Sequence, residues 1–273
     1  MKLDASVFGN HEHDRDIVHL QKMIGASNFK WVVSNYNTIS PLKSGSKSTK
    51  PFTLIKRNGV NIGIVGMNTS QTVEQVFPGN LSYTESNQKR DIVISDKVTG
   101  VEKAAKQARA AGADVVIALI HWGWNQNSNG KATGELIDYA AQLKSVDAIY
   151  GGHSHQTFAS VVGNKLTAQA RNSGQEYLRT QICVDTAANK VIGASAEHVK
   201  KADVPTTLID ATTAQIVAGY KTQLNAKLDV KIGAVSAVFP RGGTPPVERL
   251  VDMFDLHIHI DEIPTWFRYY TIG

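Results

Sequence analysis

Three stretches of this 273-residue chain carry side chains that could do chemistry together: Gly9-Asn10-His11-Glu12-His13-Asp14, His121-Trp122-Gly123 and Gly151-Gly152-His153-Ser154-His155. Each follows a short apolar run, so each reads as a loop at the end of a strand. Neutral imidazole and amide oxygen suit Mn, Fe, Zn or Co as ligands, and Asn10, His121, His153 and His155 supply four such groups. A single histidine is usually a surface or buried structural residue; grouping at three strand ends is what raises these above the rest of the nine. Other roles remain open at this point. Asn10 suits a helix N-cap, Asp14 suits the first turn of a helix, and His121 could simply bond to backbone.

The elements that must position these groups follow from periodicity. Residues 3–8 read as a short buried strand, followed by a helix with Ile17, Leu20 and Ile24 on one face and Gly25 at its end. Residues 29–33 read as a second strand. Residues 52–56 and 61–65 flank Asn58-Gly59, a strong hairpin signal. The polar stretch 68–98 reads as a long loop.

A helix over 101–111, with Val101, Ala104, Ala105, Ala108 and Ala111 on one face, precedes an uninterrupted apolar strand at 114–120 that delivers His121. The unit then repeats, as a helix at 134–143, a strand at 146–150 and the His153/His155 loop. This succession describes a layered α/β fold, a sheet flanked by helices with ligands gathered at strand ends. Strands at 159–162, 166–170, 177–184 and 191–198 lack helices between them and suggest an antiparallel second layer. Pro205 opens a linker, and 211–228 reads as an amphipathic helix striped with Ile216, Val217, Tyr220 and Leu224. A compositionally distinct tail occupies 241–273; its His257 and His259 read as exposed residues of an alternating strand.

Composition narrows the function. A net charge of +5 suits an anionic substrate, but Lys and Arg are scattered without basic runs, which argues against a nucleic-acid polymer as partner. The single Cys183 lies in a strand-like run and reads as a core filler. The N-terminal residues have no signal-peptide pattern and no stretch reaches the 18 apolar residues a membrane span needs. Oligomeric state is not legible.

The three His-bearing motifs, in this order and spacing, resemble the later signature motifs of the calcineurin-like metallophosphoesterases. The likeness is narrower to the 5'-nucleotidase and 2',3'-cyclic-nucleotide phosphodiesterase branch, and it covers about residues 3–200. The resemblance implies hydrolysis of nucleotide phosphate esters with divalent metals (Mn, Zn, Fe, Co or Mg) as cofactors. It implies Asn10, His121 and His153 as ligands of one metal, His155 as a ligand of another, and His11 with Asp14 as the catalytic pair. In that reading His11 meets charge or the leaving oxygen, and Asp14 orients its ring. Relatives of this branch are usually periplasmic or extracellular.

Two departures from the family pattern shape the expectation. His13 stands where the family usually has Phe. The family's Asp-x-His and Gly-Asp motifs, which carry the acidic ligands, belong upstream of Gly9, and the chain offers eight residues there. Expected domains are therefore a metallophosphoesterase domain over 1–200 lacking its first strand-helix unit, a linker and helix over 201–240, and the tail. The competing expectation is a remnant domain that keeps ligand loops without a working dinuclear centre.

Overall fold

The computed structural model describes residues 3–126 and 129–228. Two compact units divide the chain, Met1–Leu208 and Ile209–Gly273. In the second, the helix Ala211–Leu228 forms as its sequence suggests, with Ile216, Val217, Tyr220 and Leu224 all exposed. His257, His259 and the tail lie outside the described residues.

In the first unit, β1 (Ala5–Val7) leads through a 3-10 turn, His11–His13, into helix α1 (Ile17–Ala26). Asp16 caps α1 by accepting from His19 N, and Ile17, Leu20 and Ile24 form its buried face. The helix runs one residue past Gly25, where Ser27 closes it through bonds to Met23 and Ile24 carbonyls. Strand β2 (Lys30–Val32) pairs in parallel with β1. A small ribbon, β3 (Lys43–Ser44) with β4 (Lys47–Ser48), precedes the hairpin of β5 (Phe52–Arg57) and β6 (Val60–Met67). Asn58 and Gly59 both adopt positive φ, 49° and 84°, as a two-residue turn of the primed type requires.

The stretch 68–98 is structured where its sequence suggested a loop. It holds the one-turn helix α2 (Thr72–Gln75), a 3-10 turn at Pro78–Leu81, and the hairpin β7 (Ser82–Glu85) with β8 (Gln88–Asp91). The hairpin strands are mostly polar, so no alternation betrays them, but Ser86 and Asn87 take the left-handed turn and the following Ile92 and Ile94 are buried.

Helix α3 (Thr99–Ala110) and β9 (Val115–Ile120) follow, then a two-residue ribbon of β10 (Asn125–Gln126) and β11 (Ala132–Thr133), helix α4 (Glu135–Gln142) and β12 (Ala148–Gly151). Strands β13 (Phe158–Val162) and β14 (Lys165–Gln169) turn back through Gly163-Asn164, both at positive φ. The last pair, β15 (Glu176–Asp185) and β16 (Lys190–Lys200), is a long antiparallel hairpin of its own.

The main sheet has the order β13-β14-β12-β9-β6-β5, with β6, β9, β12 and β14 parallel and the two edges antiparallel. Strand β14 is thus not part of a second layer. All five of its residues are buried, and it runs parallel to β12 because the β13–β14 hairpin folds back beside β12. Cys183 is exposed on β15 and fills no core. Helices α3 and α4 cover the sheet through Val101, Ala104, Ala105, Ala108, Leu136 and Ala140. A second apolar cluster joins α1 to β1 and β2 through Phe8, Leu20, Ile24 and Trp31.

The two sheets meet at Gly66. A Cβ there would lie 2.3 Å from the Val32 carbonyl oxygen and 2.9 Å from Val7 Cγ2, and the Gly66 carbonyl accepts from Ser34 N at 2.8 Å and Ser34 Oγ at 2.7 Å. Since the obstacle is backbone, it cannot swing aside. Gly66→Ala is expected to cost about 3 kcal/mol, the upper end for overpacking a core. Urea unfolding measures this; a loss under about 1 kcal/mol would contradict the close approach.

Candidate functional site

The ends of β1, β6, β9 and β12 deliver the polar groups to one place. The ladder between β6 and β9 continues one step, His121 N donating to the Met67 carbonyl at 2.8 Å, and Gly152 N donates to the Trp122 carbonyl at 3.0 Å. Both bonds anchor histidine loops to the sheet. Asn10 is buried and begins the 3-10 turn without capping it by its side chain. Its Oδ1 instead lies 3.0 Å from His121 Nε2. The His121 and His153 rings meet edge to face with centroids 5.1 Å apart. Gly9 makes this possible: a Cβ there would fall 2.7 Å from the His121 ring.

Of the four expected ligands, Asn10, His121 and His153 come together. His155 is exposed on the same loop, near enough for its charge to bear on both other rings. His153 and His155 both hold left-handed backbone, φ 70° and 57°. His11 Nδ1 lies 2.9 Å from Asp14 Oδ2 and 3.2 Å from Oδ1, so the expected pair is formed, at the surface. Burial pushes the His121 pKa down to about 4, helped by the neighbouring His153, His11 and His155, and the His153 pKa moves down for the same reasons. Both rings are therefore neutral at pH 7, the state that can donate a lone pair to a cation.

Several neighbours of these groups were not apparent from the motifs. Gln71, in the turn after β6, places Oε1 2.9 Å from His153 Nε2. Glu12 is turned back, its Oε2 accepting from Gly9 N at 2.6 Å, which pins the loop. The Tyr36 hydroxyl lies 2.7 Å from both His13 Nε2 and Asn68 Nδ2. Asn68 in turn reaches the Gly9 carbonyl at 3.3 Å, and Asn35 bonds the Asn68 backbone at both ends. The signal that could have found this network is the run Asn68-Thr69-Ser70-Gln71 directly after an apolar strand. Trp122 is core, lying beneath His153 and against Tyr139, and Trp124 packs on Phe158.

His13 is fully buried, with its ring edge against Phe8. Accepting from Tyr36 at Nε2 puts its proton on Nδ1, which finds no partner among the described residues. Burial lowers its pKa to about 4.

Asn10 Oδ1 and His121 Nε2 at 3.0 Å, with the His153 ring edge to face beside them, fit one divalent cation. They do not fit two. Among the described residues no three His, Cys, Asp or Glu side chains are grouped to hold a metal, and the loop's carboxylates are engaged, Glu12 with Gly9 and Asp14 with His11. Two divalent ions about 4 Å apart repel by on the order of 16 kcal/mol at an effective dielectric of 20, which neutral ligands do not offset.

A layered α/β sheet thus gathers Asn10, two histidines and a His–Asp pair at its strand ends. Residues 42–167 match the family model described as bacterial capsule synthesis protein PGA_cap. The chain is 27% identical over 250 residues to the endonuclease YhcR of Bacillus subtilis, covering 88% of this chain and 20% of that one. It is 30% identical over 170 residues to the trifunctional nucleotide phosphoesterase protein YfkN of the same organism, covering 59% and 11%. The crystal structure of a 5'-nucleotidase precursor from Thermus thermophilus superposes with a TM-score of 0.66 at 21% identity, over 82% of this chain and 43% of that one. The chain is thus similar in sequence to 5'-nucleotidases and 2',3'-cyclic-nucleotide phosphodiesterases, and shares the fold of the solved 5'-nucleotidase precursor. It spans a fifth or less of the length of these two curated relatives. Among the described residues no helix is long and apolar enough to cross a membrane.

Proposed function

We propose that this chain carries part of the catalytic site of a metal-dependent phosphoesterase that hydrolyses nucleotide phosphate esters. The observation that supports it is the pairing of His11 with Asp14 one residue away from Asn10, whose oxygen meets His121 beside His153. Asn10, His121 and His153 would hold a divalent cation, with His155 as a further donor. Such an ion supplies Lewis acidity toward a phosphoryl oxygen and an activated water. Asp14 holds His11 through Nδ1, which leaves Nε2 to give a proton to the departing ester oxygen. The names of the relatives point to nucleotides and their cyclic phosphates as substrates, and to a polymer in one case.

A second reading, a domain that binds metal without turnover, is favoured by the engaged carboxylates and the ungrouped second site. One experiment separates the two. The purified chain is assayed with Mn2+ on bis-p-nitrophenyl phosphate, 5'-AMP, 2',3'-cyclic AMP and single-stranded DNA, before and after EDTA, while bound metal is measured after dialysis. Slow, EDTA-sensitive hydrolysis of the small esters is expected. Retained metal with no turnover on any of them would establish the second reading, and a rate indifferent to EDTA would overturn both.

A further inference from the structure

Gln71 sits in a turn that the sequence motifs leave unassigned, yet its amide oxygen reaches the ring of His153. The turn is stiff. Asn68 Oδ1 accepts from Thr69 N at 2.8 Å, Thr69 Oγ1 accepts from Gln71 N at 3.1 Å, and Thr72 Oγ1 donates to the Thr69 carbonyl at 2.7 Å. Thr69 and Thr72 are fully buried, and the turn springs directly from the end of β6, next to the strand that delivers His121. The Gln71 side chain is thus carried on a fixed base rather than on a wandering loop.

An amide oxygen has no proton to give, so the ring nitrogen facing it must be the donor. His153 therefore carries its proton on Nε2 and leaves the Nδ1 lone pair free. At His121 it is likewise Nε2 that faces an amide oxygen, Asn10 Oδ1 at 3.0 Å, so in the metal-free chain this ring too holds its proton on Nε2, and a cation taken up between these two atoms would displace it. The two rings meet edge to face with centroids 5.1 Å apart, and of the two amide contacts the one at His121 lies within the expected ligand set whereas Gln71 lies outside it. Histidines that hold metals commonly give their other ring N–H to such an acceptor, which fixes both tautomer and ring direction.

We propose that Gln71 is a positioning residue for His153: it accepts the Nε2 proton, selects Nδ1 as the ligand atom, and aims the ring at the cation that Asn10 and His121 share. This rests on the metal-site reading above. Gln rather than Glu performs the task without adding charge, so the donor set stays neutral and its hold on a single cation depends on orientation.

The test has two independent readouts on the purified chain, with folding checked by circular dichroism. The first is the histidine tautomer by 15N-detected ring correlations in the metal-free protein, the His153 signal being identified by its loss in His153→Ala. The second is the affinity for Co2+ by calorimetry. Wild type should show the Nε2–H tautomer at His153. Gln71→Leu, which keeps the bulk and removes the acceptor, should relax that preference toward that of free imidazole and bind Co2+ about 10- to 100-fold more weakly. Gln71→Glu restores an acceptor at the same reach and should recover most of both.

An Nδ1–H tautomer in wild type overturns the proposal, as do Leu and Glu variants that behave alike. If the tautomer responds as described but the wild-type chain takes up no Co2+, the metal-site reading fails and the ligand role assigned to Nδ1 falls with it. If Co2+ binds and His121→Ala abolishes binding while Gln71→Leu does not weaken it, the metal site stands and Gln71 has no part in it.

Discussion

His11→Ala should lower turnover of bis-p-nitrophenyl phosphate by about 10²- to 10⁴-fold, the range a positioned proton donor supplies, with bound metal unchanged within about two-fold. The separation of rate from metal content is the informative part. His11 lies on the outer side of the loop, bonded to Asp14, whereas the neighbouring Asn10 turns inward to His121. One residue apart, the two side chains serve different partners. Removing the His11 ring should therefore leave the ligand cluster in place. Asp14→Asn keeps a bond to the ring and should cost less than the His11 variant. Parallel losses of rate and metal in His11→Ala would make it a ligand or a structural residue, and the proton-donor assignment would be wrong.

A strong loss of stability between pH 6.5 and 4 is the second large effect expected. His13 and His121 are each held near pKa 4 by burial, against about 6.5 in an unfolded chain. Above pH 6.5 both states are neutral and the fold is unaffected. Between 6.5 and 4 the unfolded chain takes up protons that the folded chain refuses, so unfolding is favoured progressively as pH falls. A difference of this size corresponds to on the order of 3 kcal/mol per histidine. His153 moves in the same direction.

His13→Phe isolates one contribution. It removes the titrating ring while keeping an aromatic one against Phe8, and strips Tyr36 of the acceptor it has in His13. At pH 7.5 that lost bond should cost about 1 kcal/mol. On acidification the variant should gain on the wild type by on the order of 3 kcal/mol by pH 4. Urea unfolding at pH 7.5, 5.5 and 4.5 measures it, and parallel pH curves for the two proteins would show that His13 is not the source.

What sequence could and could not show divides along physical lines. Apolar runs ending in Gly-Asn-His, His-Trp-Gly and Gly-Gly-His marked the ends of β1, β9 and β12, because a strand covered on both faces admits few polar residues until it ends. Ile17, Leu20 and Ile24, and Val101, Ala104, Ala105 and Ala108, marked α1 and α3 by period and are buried. Asn58-Gly59 marked its hairpin through backbone chirality.

The hairpin of β7 and β8 carries mostly polar side chains on both faces and so had no alternation to read. The pairing of β14 with β12 depends on which edge a hairpin folds toward, a choice made by the sheet and not by residues 158–169 alone. The contacts of Gln71, Asn68 and Tyr36 were not legible because their partners, His153, Gly9 and His13, lie 23 to 82 positions away. Cys183 was expected inside; on a two-stranded ribbon one face is open to water.

The loop carrying His153 and His155 has a consequence for how such a chain changes over generations. Both residues hold a backbone conformation that costs an ordinary L-residue about 1–2 kcal/mol and costs glycine almost nothing. Drift toward greater stability would thus favour glycine at the two positions where an imidazole is wanted. Replacing either residue by glycine should therefore relieve backbone strain while removing its ring, so stability and the imidazole are opposed at these two positions.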